Sequence, residues 1–231
     1  MNTHIQDGKP VADAAVLAGQ AAYHKRALNL YDLMVFYGSA PFFWRCPASE
    51  FRRLYDVSVG AEHMEIGVGT GYLLTHCRFP VLDPRITLVD LNPDTLVYTA
   101  RQLSGYRTEQ IRANALEPLP VPRRDYDSVG ISFLLHCMPG SLHEKGVVLG
   151  HAASVVRPGG VVFGSTVLSS GVPVSYAGRK LMGLLNSKGI FHNEHDDLDS
   201  LREQLEKYFV GHELITRGSV ALFRAWTPVQ A

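Results

Sequence analysis

Short runs of apolar and β-branched residues recur along the chain from Val57 onward, and segments with helical spacing separate them. Five such runs are HMEIGV, RITLVDL, EQIRANA, YDSVGISFLL and GGVVFGSTVL. Strands that alternate with helices are typical of a parallel sheet with crossover helices on both faces. The pattern therefore predicts an α/β fold with a mostly parallel sheet.

The segment after the second run predicts a complete crossover helix. Asn92 can cap the helix and Pro93 suits its first position, while Gly105 can end it. Apolar residues then fall on one face at helical spacing, namely Leu96, Ala100 and Leu103.

The C-terminal region breaks the alternation of strands and helices. The stretch VGHELITRGSVALFRAW contains two strand-like runs joined by TRGS, a link that suits a hairpin and is too short for a crossover. A helix, DSLREQLEKYF, precedes it. We therefore expect a seven-stranded sheet that ends in an antiparallel hairpin strand.

Two segments do not follow the sheet pattern, and both are candidate lids. Residues 11–47 begin with helical spacing and end in FYGSAPFFWRCP, while residues 169–195 mix glycine, aromatic residues and a short apolar helix. We expect one domain over 1–231. Its parts are an N-terminal helical and aromatic lid (1–56), a core (57–168), a cap (169–195) and a C-terminal helix with the hairpin (196–231).

Composition narrows the range of partners. Lysine plus arginine and aspartate plus glutamate both number 22, which argues against nucleic acid and against an anionic membrane surface. The three cysteines include no CxxC pair, which argues against a disulfide framework or a structural zinc site. The N-terminus lacks the pattern of an export signal, and no run is apolar enough to span a membrane. We expect a cytoplasmic protein that acts on a small molecule.

The stretch MEIGVGTGYLL has glycines at three alternate positions, where a strand gives way to a helix. A dinucleotide fingerprint that starts at Gly67 and Gly69 would need glycine at position 72, which is tyrosine. A P-loop would need a GK[ST] ending, which is also missing. The loop remains open to two interpretations, a tight strand-to-helix turn or a cradle for a cofactor without phosphate.

Acidic residues on both sides of the loop decide between them. Glu65 precedes the glycines and Asp90 ends the second strand. Together these features resemble the class I S-adenosylmethionine-dependent methyltransferases, over roughly residues 60–226. The resemblance implies a Rossmann-like sheet, S-adenosylmethionine as the cofactor and S-adenosylhomocysteine as the product. The lack of Lys and Arg within 64–75 suits a cofactor that carries a positive sulfur and no phosphate.

The resemblance also implies roles for individual residues. Glu65 would hold the amino group of the cofactor, Asp90 would accept hydrogen bonds from both ribose hydroxyls, and Leu91 would press on the adenine. Asn114 and Ala115 stand where the family contacts the adenine edge, although aspartate is commoner than asparagine there. Three glycines would line the methionine part, namely Gly67, Gly69 and Gly71.

The end of the fourth strand is predicted to face both the cofactor and the methyl acceptor. In such sheets ligands bind at the carboxyl ends of the strands, which places Ser132, Phe133 and His136 there. His136 can act as a general base or can form a hydrogen bond at a helix terminus. His192 and His195 are too weakly patterned to predict a metal, and we expect none.

Aromatic residues in the two candidate lids favour a small hydrophobic or aromatic acceptor. Tyr37 and Trp44 would contact it from the N-terminal side, and Tyr176 and Phe191 from the opposite wall. Alternatively, the first two only pack the N-terminal helix on the sheet. The Asn-Pro-Pro-Tyr sequence, which many methylases of nucleic acid and of protein glutamine contain, is missing.

The sequence therefore favours an enzyme that methylates O, N, S or C of a small molecule. The alternative is a protein that binds S-adenosylmethionine without transferring its methyl group, as a regulatory partner or as a catalyst of cyclisation or rearrangement. The oligomeric state does not follow from the sequence.

Overall fold

The computed structural model describes residues 6–7 and 38–229. Within these residues eight strands form one sheet, and seven of them coincide with the seven predicted runs. The eighth, β1, is a two-residue strand that the sequence pattern did not predict. The strands are β1 (Gln6–Asp7), β2 (Glu62–Ile66), β3 (Arg85–Asp90), β4 (Arg107–Arg112), β5 (Tyr126–Ser132), β6 (Val156–Val167), β7 (Gly211–Arg217) and β8 (Val220–Trp226).

The strand order across the sheet is β1-β4-β3-β2-β5-β6-β8-β7. β8 runs antiparallel to both β6 and β7, whereas the other neighbours are parallel. This arrangement confirms the mostly parallel, Rossmann-like sheet with an antiparallel C-terminal hairpin. The chain moves outward from β2 to β4 and then returns to β5 on the other side of β2. Ligands bind at such a switch point, outside the carboxyl ends of the strands.

Eight helices are present in the described part of the chain, together with a 3₁₀ turn at Leu135–Cys137. The helix predicted after Asn92 begins at Pro93, and the Asn92 side chain accepts a hydrogen bond from the Asp94 N–H at 2.9 Å. No helix within residues 38–229 is long and apolar enough to cross a membrane. The helices are α1 (Ala40–Phe42), α2 (Ala48–Asp56), α3 (Tyr72–His76), α4 (Pro93–Gln102), α5 (Leu142–Lys145), α6 (Val147–Ala153), α7 (Tyr176–Ser187) and α8 (Leu198–Tyr208).

Each face of the sheet has its own hydrophobic core, because successive residues of a strand point to opposite faces. In β2, Met64 and Ile66 join the core under α6 and α8. The facing core packs α2 and α4 on the sheet around Phe51, Tyr55 and Phe163. This confirms that helices cover both faces.

The segment that follows residue 37 packs against the region predicted as a cap. Ser175 donates a hydrogen bond to the Phe43 carbonyl at 3.0 Å, and a Cβ at Gly178 would come within 2.6 Å of the same oxygen. The Ser219 N–H donates to the Trp44 carbonyl at 3.0 Å. Most of the predicted N-terminal lid, including Tyr37, lies outside the described residues.

Candidate active site

A cleft opens at the carboxyl ends of β2 to β5, with about 740 Å³ of empty space that includes its open mouth. Seven of the residues predicted to bind a cofactor line it: Gly67, Gly69, Asp90, Leu91, Asn114, Ala115 and Phe133. The walls also include residues that the sequence reasoning missed, among them Asn92, Thr95, Leu134, Cys137 and Met138. Asn92 and Thr95 could have been found from the sequence, since they lie at the start of the helix that follows the strand ending in Asp90.

All three loop glycines have a positive φ, namely +77° at Gly67, +53° at Gly69 and +74° at Gly71. A Cβ at Gly67 would lie 2.9 Å from the Leu134 side chain, and one at Gly71 would lie 2.6 Å from Thr99 Cγ2. At Gly69 the same atom would meet nothing within 4 Å. Gly67 and Gly71 are thus required by conformation and by packing, whereas Gly69 keeps open the space beside the cleft.

Asp90 presents a carboxylate to the cleft from the end of β3. Burial raises its pKa, and this effect outweighs hydrogen bonds that lower it, from the Asn92 N–H, the Thr95 hydroxyl and the main-chain N–H groups of Val68 and Gly69. The Asn92 N–H lies 2.8 Å from Oδ1. These donors hold the carboxylate in one orientation, and its remaining acceptor capacity suits a ligand with hydroxyl groups.

Asn114 forms a local turn and lines the cleft at the same time. Its Oδ1 accepts a hydrogen bond from the Leu116 N–H at 3.1 Å, and its main-chain carbonyl accepts one from Glu117 at 3.0 Å. The side-chain amide group can still donate. Apolar Leu91 and Ala115 form walls of the same cleft, which suits a flat heterocycle.

Glu65 is held inside the protein rather than on the wall of the cleft. The Tyr55 hydroxyl donates to its Oε1 at 2.6 Å, and His63 Nε2 lies 3.0 Å from its Oε2. His63 Nδ1 in turn lies 2.8 Å from Ser128 Oγ. A Cβ at residue 130 would collide with Glu65, so glycine there makes room for the carboxylate. The cleft lining includes neither Glu65 nor two other predicted positions, Gly71 and Ser132.

His136 lies in the 3₁₀ turn after β5 and is buried. Its Nδ1 accepts a hydrogen bond from the Val167 N–H at 3.2 Å and lies 3.3 Å from Thr166 Oγ1. A neutral imidazole that accepts at Nδ1 carries its proton on Nε2. Burial and, to a smaller extent, the positive charge of Lys145 lower its pKa to about 3. His136 is therefore an uncharged N–H donor.

Aromatic rings surround His136 and link both predicted lids to the strand ends. The Phe191 ring centroid lies 4.4 Å from that of His136 and 5.9 Å from that of Trp44. Phe133 lies 5.8 Å from His136 and has a positive φ of +57°, a strained conformation for an aromatic residue. Tyr176 lies apart, since 75% of its surface is exposed and its ring contacts Lys180.

A buried ion pair fixes the loop that carries Phe191, and no sequence signal pointed to it. Lys145 Nζ lies 2.7 Å from Asp196 Oδ2 and donates to the His192 carbonyl at 2.9 Å. Burial raises the pKa of Asp196 to about 6 and lowers the pKa of Lys145, while their attraction opposes both shifts. Asn193, fully buried, donates to the Val167 carbonyl at 2.9 Å.

No group of three His, Cys, Asp or Glu side chains among residues 6–7 and 38–229 is placed to hold a metal ion. His192 and His195 line a second cleft with Glu144 and Glu194, without such a cluster.

Comparisons with known proteins agree with this geometry. Residues 64–162 match a family model described as a methyltransferase domain. The chain is 59% identical over 215 residues to the demethylluteothin O-methyltransferase of Streptomyces thioluteus, covering 93% of this chain and 94% of the relative. The chain belongs to the class I S-adenosylmethionine-dependent methyltransferases.

Two further matches extend the picture of this methyltransferase. It is 35% identical over 212 residues to a physcion biosynthesis cluster O-methyltransferase of Aspergillus chevalieri, covering 91% of this chain and 95% of that one. An O-methyltransferase family protein from Burkholderia thailandensis shares the fold with a TM-score of 0.68 at 20% identity, covering 91% of this chain and 62% of that one. S-adenosylmethionine is the cofactor, and the acceptor is a small molecule.

The cleft fits this cofactor in its chemistry. Its lining includes one carboxylate, Asp90, two amides, Asn92 and Asn114, and apolar walls, and among the described residues no lysine or arginine lines it. A ligand with ribose hydroxyls, a purine and a sulfonium needs hydrogen-bond acceptors and space, whereas a phosphate would need cationic side chains or a fuller set of N–H donors.

Proposed function

We propose that this methyltransferase transfers the methyl group of S-adenosylmethionine to a hydroxyl oxygen of a small, flat, largely apolar metabolite. The observation that carries the proposal is the juxtaposition of the Asp90 cleft and the aromatic cluster of Trp44, Phe133, His136 and Phe191. Phe133 belongs to both, since it lines the cleft and packs on His136.

The cofactor would be held by the residues that line the cleft. Asp90 would accept hydrogen bonds from the ribose hydroxyls, while Leu91 and Ala115 would cover the adenine and Asn114 would contact its edge. Gly69 would leave room for the chain of the cofactor. When bound, S-adenosylmethionine supplies an electrophilic methyl group on a positive sulfur.

Three of the predicted cofactor residues would act from behind the cleft wall. Glu65, bound by Tyr55 and His63, would fix the strand that leads into the glycine loop. Gly71 would let the loop turn into α3 against Thr99. Ser132 would support the strained turn at Phe133, which follows it directly.

The acceptor would bind among the aromatic rings. Trp44 and Phe191 offer flat, apolar surface, and such rings can also face a positive sulfonium. Oxygen as the acceptor atom is supported by the names of the two relatives described above, both of which are O-methyltransferases. Tyr176 is too exposed to line an enclosed pocket in this arrangement, so we assign it a role at most at the mouth.

The test is incubation with methyl-labelled S-adenosylmethionine and a panel of hydroxylated aromatic acceptors, including demethylluteothin. We expect labelled O-methyl products by mass spectrometry. Label on nitrogen, sulfur or carbon instead would overturn the assignment to oxygen. Turnover of an acceptor without label would indicate a protein that uses the cofactor without transferring its methyl group.

Cofactor binding is tested separately by calorimetry on Asp90→Ala. Hydrogen bonds to a charged group contribute about 1.5 to 3 kcal/mol, so we expect at least a roughly tenfold loss of affinity. Asp94→Ala is the control, because Asp94 is an exposed carboxylate on the same turn. Equal affinities of the two variants would remove Asp90 from the proposed site.

We further propose that the enzyme works in the cytoplasm. The three free thiols Cys46, Cys77 and Cys137 support a reducing compartment.

A further inference from the structure

His192 carries the opposite tautomer to His136. Its Nδ1 lies 3.2 Å from the main-chain carbonyl oxygen of Cys137. A carbonyl oxygen only accepts hydrogen bonds, so Nδ1 must carry the proton, and Nε2 of the neutral ring is left with a lone pair. The structure thus contains one histidine that presents an N–H and one that presents a proton acceptor.

Hydrogen bonds to both main-chain polar groups of His192 fix its position. Its N–H donates to the His136 carbonyl at 2.7 Å, and its own carbonyl accepts from Lys145 at 2.9 Å. The next residue, Asn193, is fully buried and bound to β6. A ring that is held at Nδ1 and by its main chain can hold Nε2 in one direction, as a proton acceptor requires.

His192 lines a second cleft and contacts a residue of the cofactor cleft. The second cleft has about 690 Å³ of empty space, including its open mouth, and His192 and Phe191 form part of its lining. Cys137, which holds the His192 ring, lines the cofactor cleft. Phe191, the neighbour of His192 in sequence and in the lining of the second cleft, also packs on His136 and Trp44, so the second cleft adjoins the aromatic cluster.

We propose that His192 is the general base that accepts the proton of the acceptor hydroxyl through Nε2. The inference rests on the proposed function, O-methylation. As the hydroxyl oxygen bonds to the methyl carbon, the carbon–sulfur bond breaks and its electron pair stays on sulfur. The O–H bond breaks at the same time, its proton passes to Nε2, and the imidazolium later releases it to water.

His136, the candidate base from the sequence, does not fill this role. Its Nδ1 is occupied by the Val167 N–H, and its Nε2 already carries the proton. Its low pKa, about 3, agrees with a ring that stays neutral beside Lys145. We assign His136 a positioning role, through its contacts with Phe133 and Phe191.

Several charged and titratable groups surround His192. Cys137 contacts its ring through a main-chain carbonyl, and Lys145 donates to its main-chain carbonyl. Glu144, Glu194 and His195 line the same cleft. The charge of Lys145 is paired with Asp196. Substitution of His192 itself is therefore needed to assign a pH effect to it.

The first test does not depend on turnover. Long-range ¹H–¹⁵N correlation spectra of the full chain distinguish the two neutral histidine tautomers. We expect the Nδ1–H form for His192 and the Nε2–H form for His136, assigned by loss of each signal set in His192→Asn and His136→Asn. An Nε2–H tautomer at His192 would overturn the proposal, whatever the enzyme methylates.

The second test compares the same two variants in catalysis. In His192→Asn the amide N–H can still donate to the Cys137 carbonyl, so the fold is kept while Nε2 is lost. General-base catalysis contributes about 10²- to 10⁴-fold, and we expect a fall in kcat of this order with little change in KM. The acidic limb of the pH profile of kcat/KM should disappear only in this variant.

The outcomes distinguish a failure of the proposed O-methylation from a failure of the assignment of His192 as the base. If the wild type methylates no hydroxyl, the proposed O-methylation fails. If it does methylate a hydroxyl, yet His192→Asn keeps its rate and its acidic limb, O-methylation stands and His192 is not the base. An acidic limb whose position on the pH axis shifts with the pKa of the acceptor hydroxyl would also overturn the assignment, because it would report the acceptor and not the enzyme.

Discussion

The two halves of the active site are built from different kinds of contacts. The cofactor half, at the ends of β2 to β4, is built mainly on the main-chain conformation of two short stretches, the glycine loop and the turn from Asp90 to Thr95, which also bind each other. The acceptor half, at the ends of β5 and β6, depends on side chains that are far apart in sequence. Lys145 pairs with Asp196, and Trp44 stacks on Phe191.

This difference separates what the site must preserve from what it can change. The cofactor half is fixed by main-chain conformation, since three positive φ angles and a capped helix hold it. The acceptor half is fixed by a buried polar network whose members support a single loop. A fold built in this way can keep its methyl donor while the loop adapts to another acceptor. We therefore expect the acceptor half to lose more stability than the cofactor half when one charge is removed.

The largest expected effect is that of Lys145→Met. The change leaves Asp196 as a buried charge without its partner, which costs about 3 to 5 kcal/mol of unfolding free energy. Urea denaturation at neutral pH measures it. The double variant Lys145→Met/Asp196→Leu is the control, because it removes both charges and should recover most of the loss. Equal destabilisation of the single and double variants would show that packing, and not the ion pair, holds the loop.

The next effect contrasts two glycines of the cofactor half. In Gly71→Ala the new Cβ would meet the buried Thr99 side chain at 2.6 Å with φ at +74°, so we expect a loss of about 2 to 4 kcal/mol of unfolding free energy. Gly69→Ala meets nothing within 4 Å and should cost only about 1 to 2 kcal/mol for its positive φ. Calorimetry should show the opposite order for cofactor binding. In Gly69→Ala the affinity for the cofactor should fall by more than the small loss of unfolding free energy explains.

If both glycine variants lose the same unfolding free energy, backbone conformation alone, and not packing on α4, sets the cost of a side chain in this loop.

The third effect is a pH dependence of the unfolding free energy, which arises from His136 in the acceptor half. Its ordinary pKa is 6.5 and burial lowers it to about 3, so the unfolded chain takes up a proton at higher pH than the folded one does. The stability that His136 contributes is fully present above pH 6.5 and is lost as the pH falls toward 3, by about 1.4 kcal/mol per pH unit.

Denaturation of the wild type and of His136→Asn at several pH values measures this loss. Between pH 7 and pH 5 the stability advantage of the wild type should shrink by about 2 kcal/mol. Asparagine can accept from the Val167 N–H but does not titrate, so it removes the proton uptake with little change in geometry. A constant difference between the two proteins would show that the folded His136 takes up a proton as readily as the unfolded one.

The difference between local and long-range contacts explains how much of the fold and of the active site could be predicted from the sequence. The seven main strands, the hairpin and the cofactor loop follow from periodicity and from neighbours within a few residues, such as Asn92 before Pro93. Local pattern also placed Glu65 in the motif, but it did not predict the partners Tyr55 and His63 that bind its carboxylate. The Lys145–Asp196 pair and the tautomer of His192 arise only when distant segments meet.

The smallest effect tests whether the cofactor half really depends on local contacts. Asn92→Ala removes the cap of α4, whose Oδ1 accepts from the Asp94 N–H at 2.9 Å, and should lower the unfolding free energy by about 1 kcal/mol. Asn92→Asp is the matched control, because aspartate caps as well as asparagine. It should keep the stability of the wild type in thermal denaturation. Since the Asn92 N–H also binds Asp90 at 2.8 Å, fraying of the helix end in Asn92→Ala should loosen that carboxylate and weaken cofactor binding in parallel. An unchanged cofactor affinity despite the lost cap would mean that the strand end holds Asp90 without help from the helix.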